Sequence, residues 1–259
     1  MLYQPVELYY ESYGKGFPIV FLHGFALSRV IWKPLIPDLK AEARLIFPDL
    51  RGHGNSPAPE GPYTVRMMAE DVVALLDKLG LDKAIWVGHS MGGYLCQAAA
   101  RDYLERVAAV AFVTTRSQAD TADKIQGRLK TIDQVRQYGA RVVAEDMSEK
   151  LAYKETWKNI LFKIIDKTPP AGVIGSLQAM ASRPDSSELV RNLAVPWAFV
   201  AGQKDLFVPL ETAREMAAPL DPGHYFEVPD TGHMPMLEAP ETVTQALRVL
   251  LSDTKVKQD

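Results

Sequence analysis

Residues 84–92 compress a strand, a serine and the start of a helix into a single stretch. Ala84-Ile85-Trp86-Val87 is an apolar run. Gly88-His89-Ser90-Met91-Gly92 follows at once, and Gly93 to Ala100 is small and helix-forming. A serine held between two glycines at a strand-to-helix junction has the form of a nucleophile elbow. The serine takes a strained turn so that its hydroxyl points out of the sheet. A Cβ on either flanking glycine would clash with the neighbouring strand or helix. The helix that begins there turns its free N–H groups and positive dipole end toward negative charge forming at the serine. Ser90 alone is equally a tight turn with a helix cap, so the pattern carries weight only with its partners.

Two later strand-to-loop junctions supply them. Val195-Pro196-Trp197-Ala198-Phe199-Val200-Ala201-Gly202 runs into a loop ending at Asp205, and Tyr225-Phe226-Glu227-Val228 into a glycine loop carrying His233. Ser90, Asp205 and His233 therefore follow the order nucleophile, acid, base, each at the C-terminal end of a predicted strand, where open α/β sheets place their sites. A hydroxyl needs a base because it is almost un-ionised at neutral pH. His233 takes that proton and returns it to the leaving group, while Asp205 orients the imidazole and stabilises its charged form. Asp120, Asp221 and Asp230 are rival acids. An earlier strand, Ile19 to Leu22, ends in His23-Gly24-Phe25 and brings a second backbone N–H toward the serine.

The remaining histidines have structural readings. His23 and His89 adjoin site residues, but neighbouring side chains on an extended strand face opposite ways, so both are read as loop supports. His53 belongs to the Arg51-Gly52-His53-Gly54 turn, with Asp49 and Arg51 as its anchors, and His224 is read as surface. No set has metal-ligand spacing, so no metal is expected. Arg29, Trp32 and Arg116 stand on loops that approach the site. Arg116 there suits an acidic substrate, the ordinary alternative being a surface salt bridge.

Taken together, these residues closely resemble the α/β-hydrolase family. The likeness spans nearly the whole chain: the His23-Gly24-Phe25 loop, the Pro48-to-Ser56 turn, the Gly88-to-Gly93 elbow, the Asp205 loop and Gly232-His233. It is most similar to carboxylesterases, enol-lactonases and haloperoxidase-like esterases. The resemblance implies a mostly parallel central sheet flanked by helices, with an inserted helical cap. It selects Asp205 as the acid and gives the backbone N–H groups of Phe25 and Met91 as the oxyanion hole. It implies a cofactor-free serine hydrolase cleaving a small carboxylic ester or lactone through an acyl-enzyme. A perhydrolase (haloperoxidase) or a carbon–carbon bond hydrolase on the same triad is the alternative within the family. A receptor-like ligand-binding protein with residual hydrolase activity is the alternative of another class. Dehalogenases and epoxide hydrolases use an aspartate nucleophile, and position 90 is serine.

Between about Thr115 and Leu193 the alternation of strand and helix lapses into a polar, helical stretch, too long for a lone connection in a compact fold. The expected organisation is a core of residues 1–114 and 194–259 with a cap at 115–193. Tyr138, Met147, Tyr153, Trp157, Phe162, Leu177 and Met180 are candidates for lining a pocket, most of them forming the cap's own core and one or two reaching substrate. Elsewhere, Thr64 to Leu79 reads as a capped amphipathic helix and Ser28 to Lys40 as a helix broken near Pro34 and Pro37. Val6 to Tyr13 reads as one arm of an edge hairpin leading into the first central strand, and Ser252 to Asp259 as a frayed tail.

Composition bounds the rest. With 29 Lys and Arg against 32 Asp and Glu, the net charge of −3 offers no basic field for nucleic acid. No apolar run is long enough to span a membrane, and the N-terminus lacks a secretory pattern. The lone Cys96 cannot form an internal disulfide, in keeping with a cytoplasmic protein, and reads as a small buried filler.

Overall fold

In the computed structural model, which describes residues 4–256, the strands line up so that their C-terminal ends form one edge. Seven strands make a single sheet: β1 (Tyr10–Tyr13), β2 (Pro18–Leu22), β3 (Arg44–Pro48), β4 (Ala84–His89), β5 (Val107–Val113), β6 (Trp197–Gly202) and β7 (Tyr225–Val228). Their order is β1-β3-β2-β4-β5-β6-β7, with only β1 antiparallel to its neighbour. Leu22 pairs with Gly88, Gly88 with Phe112, Val113 with Val200 and Gly202 with Val228. The loops that follow β2, β4, β5, β6 and β7 thus leave the sheet side by side. β4 and β6 are buried at every position, which is why they read as unbroken apolar runs.

β1 does not form a hairpin with β2. It pairs with β3, Tyr10 opposite Pro48 and Tyr13 opposite Leu45, because both edges of β2 are already taken in parallel by β3 and β4. The expected edge position holds, and the expected partner does not.

Helix α1 (Val65–Lys78) begins where expected, the Thr64 hydroxyl accepting the Met67 N–H at 3.1 Å. Its buried stripe contains one ion: Asp71 pairs with Arg51 at 2.5 Å, both almost wholly enclosed. Helix α2 (Met91–Asp102) follows Ser90 and is buried from Met91 to Ala100. Residues 29–39 form a 3₁₀ turn, Arg29–Leu35, continued by a short helix, Ile36–Leu39, with Pro34 at the irregular part. Cys96 is fully buried, and burial pushes its thiol up, away from reactivity.

Between β5 and β6 lie α3 (Ala122–Tyr138), α4 (Arg141–Leu151), α5 (Glu155–Asp166), α6 (Pro170–Ala181) and a short Ser187–Arg191 turn. Helix α6 touches the sheet side of the molecule at Gly172, where a Cβ would collide with the Gly52 backbone. Gly52 belongs to the turn whose Arg51 pairs with Asp71, and the Arg51 guanidinium lies 5.3 Å over the Tyr63 ring. The Thr168 hydroxyl adds a 2.9 Å bond to the Ala26 carbonyl.

The last helix, α7 (Pro240–Val256), extends through Ser252, so most of the stretch read as frayed is helical; residues 257–259 lie outside the described residues. Leu250 and Leu251 are buried, the Thr254 hydroxyl bonds the Leu251 carbonyl, and Asp253 meets His224 at 2.8 Å. Those contacts explain the order. Among the described residues no helix is long and apolar enough to cross a membrane.

The Gly172–Gly52 approach leaves no room for a side chain. Gly172→Ala should lower unfolding stability by about 1–3 kcal/mol, the usual cost of overpacking. A urea unfolding midpoint equal to that of the unsubstituted protein would show that α6 does not bear on the core there.

Candidate active site

Ser90 sits at φ 50°, ψ −112°, the strained positive-φ conformation expected of an elbow. Its N–H donates to Val113 O at 3.0 Å, and its carbonyl accepts the Thr115 hydroxyl at 2.8 Å and the Gly93 N–H at 2.9 Å. A Cβ on Gly88 would lie 2.5 Å from the Gly92 carbonyl, and one on Gly92 would be driven into the Leu22 carbonyl. Both glycines are therefore required by the close passage of α2 over the sheet. The His23-Gly24-Phe25 loop presses against the same turn, since a Cβ on Gly24 would stand 3.3 Å from the Ser90 Cβ. Neither the Phe25 nor the Met91 N–H has an acceptor among the described residues.

His233 Nδ1 lies 2.7 Å from Asp205 Oδ2, both side chains almost fully enclosed. The other carboxylate oxygen, Oδ1, accepts the Phe207 N–H at 2.7 Å and the Val208 N–H at 3.0 Å, so the carboxylate cannot rotate without losing three bonds. An ionised carboxylate only accepts, so the proton of this contact belongs to Nδ1 and the lone pair of neutral His233 to Nε2. The Phe207 ring stands 5.0 Å from the imidazole. The rival acids are elsewhere. Asp120 pairs with Arg128 and Arg183, Asp230 is an exposed residue of a left-handed turn, and Asp221 is exposed before a 3₁₀ turn.

The backbone of His233 is pinned from three sides. Its carbonyl accepts from His89 Nε2 at 2.8 Å and the Thr114 hydroxyl at 3.0 Å, and its N–H donates to the Leu151 carbonyl at the end of α4. Glu238 strengthens the same junction, one oxygen accepting the Gly232 N–H at 2.8 Å and the other the Lys154 N–H at 2.7 Å. Sequence reasoning missed Glu238, Thr114 and Thr115. A signal for Glu238 existed: a lone carboxylate within the apolar run Met234 to Ala239 needs buried partners.

His23 supports a loop, as expected, and His53 does the same within its turn. His23 Nε2 accepts the Leu50 N–H at 2.9 Å, which leaves Nδ1–H to donate to Gly24 O at 2.9 Å. His53 repeats the arrangement, Nε2 accepting from Ala26 N–H at 3.2 Å and Nδ1–H donating to Arg51 O at 2.9 Å. Each ring needs one bare nitrogen, so each must be neutral. Burial lowers His23 to about 4, and burial with the nearby His23 ring lowers His53 to about 3.

A cavity of about 570 Å³ opens over Ser90 and His233, with Phe25 and His89 also on its wall. Of the apolar candidates, Met147, Leu177 and Met180 line it, one more than the upper expectation. Tyr138 and Tyr153 face solvent, while Trp157 and Phe162 pack against the core. Arg116 is on the wall. Arg29 instead binds Glu11 and Asp49, and Trp32 is fully buried. Among the described residues no group of three His, Cys, Asp or Glu side chains is placed to hold a metal ion.

Residues 18–240 match the model of the alpha/beta hydrolase fold family. A thermophilic esterase from Thermogutta terrifontis, solved with malate bound, superposes with a TM-score of 0.91 at 36% identity, over 96% of this chain and 94% of the other. 3-Oxoadipate enol-lactonase 1 of Acinetobacter baylyi is 27% identical across 88% of this chain and 85% of its own length. Pimeloyl-[acyl-carrier protein] methyl ester esterase of Edwardsiella ictaluri is 26% identical, with coverage of 93% and 95%.

Burial holds the three fully enclosed histidines, His23, His53 and His89, below their usual range, and His23 and His53, which need a bare nitrogen each, make the fold acid-sensitive. Unfolded, each titrates near 6.5; folded, only near 4 and 3. The unfolded chain therefore binds more protons in between, and stability falls as pH drops from about 6.5 toward 4. The expected slope is roughly 1.4 kcal/mol per pH unit for each histidine. Urea unfolding across this range should show it, and a His53→Gln variant should be flatter. An unchanged slope in that variant would remove His53 from the account.

Proposed function

The chain belongs to the alpha/beta hydrolase fold family, and from that premise we propose that it is a serine hydrolase cleaving small carboxylic esters or lactones through an acyl-enzyme. The observation that carries the reading is the 2.7 Å contact of His233 Nδ1 with Asp205, on a cavity that also presents Ser90. In this reading Ser90 Oγ attacks the substrate carbonyl carbon as His233 Nε2 takes the hydroxyl proton. The carbonyl oxygen becomes an oxyanion facing the free N–H groups of Phe25 and Met91. Collapse of the tetrahedral intermediate breaks the bond to the alcohol oxygen, which receives the proton from His233. Water then enters and attacks the acyl carbon as His233 takes one of its protons; collapse breaks the bond to Ser90 Oγ, which takes that proton back from His233 as the acid is released. A lactone follows the same course, its alcohol remaining tethered to the acyl group.

The preorganised parts all act on charge. The imidazolium formed in each half-reaction is stabilised by a carboxylate whose other oxygen is already satisfied, so no reorganisation is needed as charge develops. Ser90→Ala should lower kcat by roughly 10⁴-fold or more with the fold retained, and Asp205→Asn should be nearly as severe. A serine-directed fluorophosphonate should label the protein stoichiometrically at Ser90. Near-normal ester hydrolysis in Asp205→Asn, alongside loss in Asp120→Asn, would move the acid elsewhere. Absence of labelling would favour a binding protein.

Residues 115–193 act in this reading as a cap that bounds the cavity. Each methylene buried in such a pocket contributes roughly 0.8 kcal/mol until the space is full. With p-nitrophenyl esters, kcat/KM should rise through short acyl chains, peak at short to medium length and then fall. A continued rise to long chains, or activation by droplets, would show that the cap does not limit the site.

A further inference from the structure

We infer that the substrate carries a second, anionic end, a carboxylate held by Arg116 and Lys124 within the same cavity as Ser90. The inference rests on the ester or lactone hydrolase reading and adds the substrate's charge to it.

The face that α3 turns to the cavity is the first observation. Its lining positions, Lys124, Gly127, Arg128, Thr131 and Gln134, recur at helical spacing and include no apolar side chain. A helix closing over a purely hydrophobic acyl pocket would turn apolar residues inward. Helix α4 does so around the same space, with Val142, Val143 and Met147 beside a single acid, Asp146, joined by Leu177 and Met180 of α6. The cavity therefore has a cationic wall and a mostly apolar wall whose one acid, Asp146, is paired with Lys150. That division suits a short hydrocarbon chain ending in a charge.

The second observation is the surplus of positive charge. Arg128 and Arg183 share the single carboxylate of Asp120, Arg183 at 2.9 Å. Asp185, the next acid, is bound to the backbone of Ala119 and Ser187, and Asp146 is paired with Lys150. Arg116 and Lys124 have no ion-pair partner among the described residues. Arg116 spends one N–H on the Phe207 carbonyl at 2.6 Å, and its Nε is buried without an acceptor. Partial desolvation at the cavity rim, then the charge of Arg116, pulls the Lys124 ammonium below its usual range. An arriving carboxylate would relieve both.

Position ties these cations to the reaction. Arg116 follows Thr115, whose hydroxyl bonds the Ser90 carbonyl, and its guanidinium grips the residue whose ring lies on His233. A guanidinium offers a carboxylate paired donors, and the exposed Lys124 adds a movable charge at the cavity rim.

The test compares mono-p-nitrophenyl adipate with its neutral methyl-capped counterpart, equal in chain and leaving group. The unsubstituted protein should favour the charged ester at least about 10-fold in kcat/KM, with the preference shrinking as salt is raised. Arg116→Gln and Lys124→Gln should each raise KM for the charged ester and bring the ratio toward one, while Lys124→Arg keeps most of it. Equal kcat/KM for the two esters, or a ratio indifferent to both Gln substitutions, overturns the inference and leaves the hydrolase reading standing. Failure to cleave either ester overturns both.

Discussion

The site is built on backbone strain concentrated along one edge of the sheet. Among the described residues, the non-glycine residues with left-handed φ are Ala26, Ser90, Thr114 and Asp230. All four lie in loops that leave the C-terminal ends of strands. Such conformations cost of order 1–3 kcal/mol each and persist only when the surroundings over-determine them. Here the surroundings are visible. His53 and Thr168 hold Ala26, Val113 and Thr115 hold Ser90, and Val200 holds Thr114. The parallel register supplies the Val113 and Val200 carbonyls at the required height, so the geometry of the serine turn is a property of the whole sheet.

That dependence explains why so many polar groups are buried near the edge. His23, His53 and His89 are completely enclosed, a costly placement unless every ring finds a partner. Two of them use both nitrogens on loop backbone, and the third spends its Nε2–H on the His233 carbonyl. Neutrality is the condition for this use. A charged ring would lose its acceptor nitrogen and free the Leu50 or Ala26 N–H, so His23 and His53 cannot double as proton carriers. In the proposed reaction that role falls to His233 alone, whose Nδ1 faces a carboxylate instead of a carbonyl.

The legible part of this protein was the part written in local chemistry. Gly88 and Gly92 around Ser90, Thr64 ahead of its helix, and the apolar runs of β4 and β6 each state their structure within a few residues. Pairings over long separations were less accessible. Nothing near Tyr10 announces that its partner is Pro48 and not an arm of a hairpin, because the choice is made by β3 and β4 occupying β2. The junction of Glu238 with Lys154, and of His233 with Leu151, joins segments more than eighty residues apart. Arg116 was visible as a candidate, but its company was not: Lys124 and Arg128 enter through the orientation of α3, which polar sequence alone leaves undecided. The helix buries only Ile132 and Val135, so periodicity gives no strong face to predict from.

The segment between β5 and β6 is joined to the edge that carries the candidate site more firmly than a simple cover would require. Its α4 end accepts the His233 N–H, the residue beginning the next turn shares Glu238 with Gly232, and Gly172 rests on the Gly52 backbone. A cover that swung as a free lid would break the first of these bonds and leave the His233 loop without one of its three anchors. Leu206 and Lys124, both exposed, border the cavity. In the proposed reaction, substrate selection would then belong to the walls that are already in place. In that reaction a mostly apolar wall and a cationic wall facing one serine would discriminate by chain length and charge together, without a closing movement having to report on either.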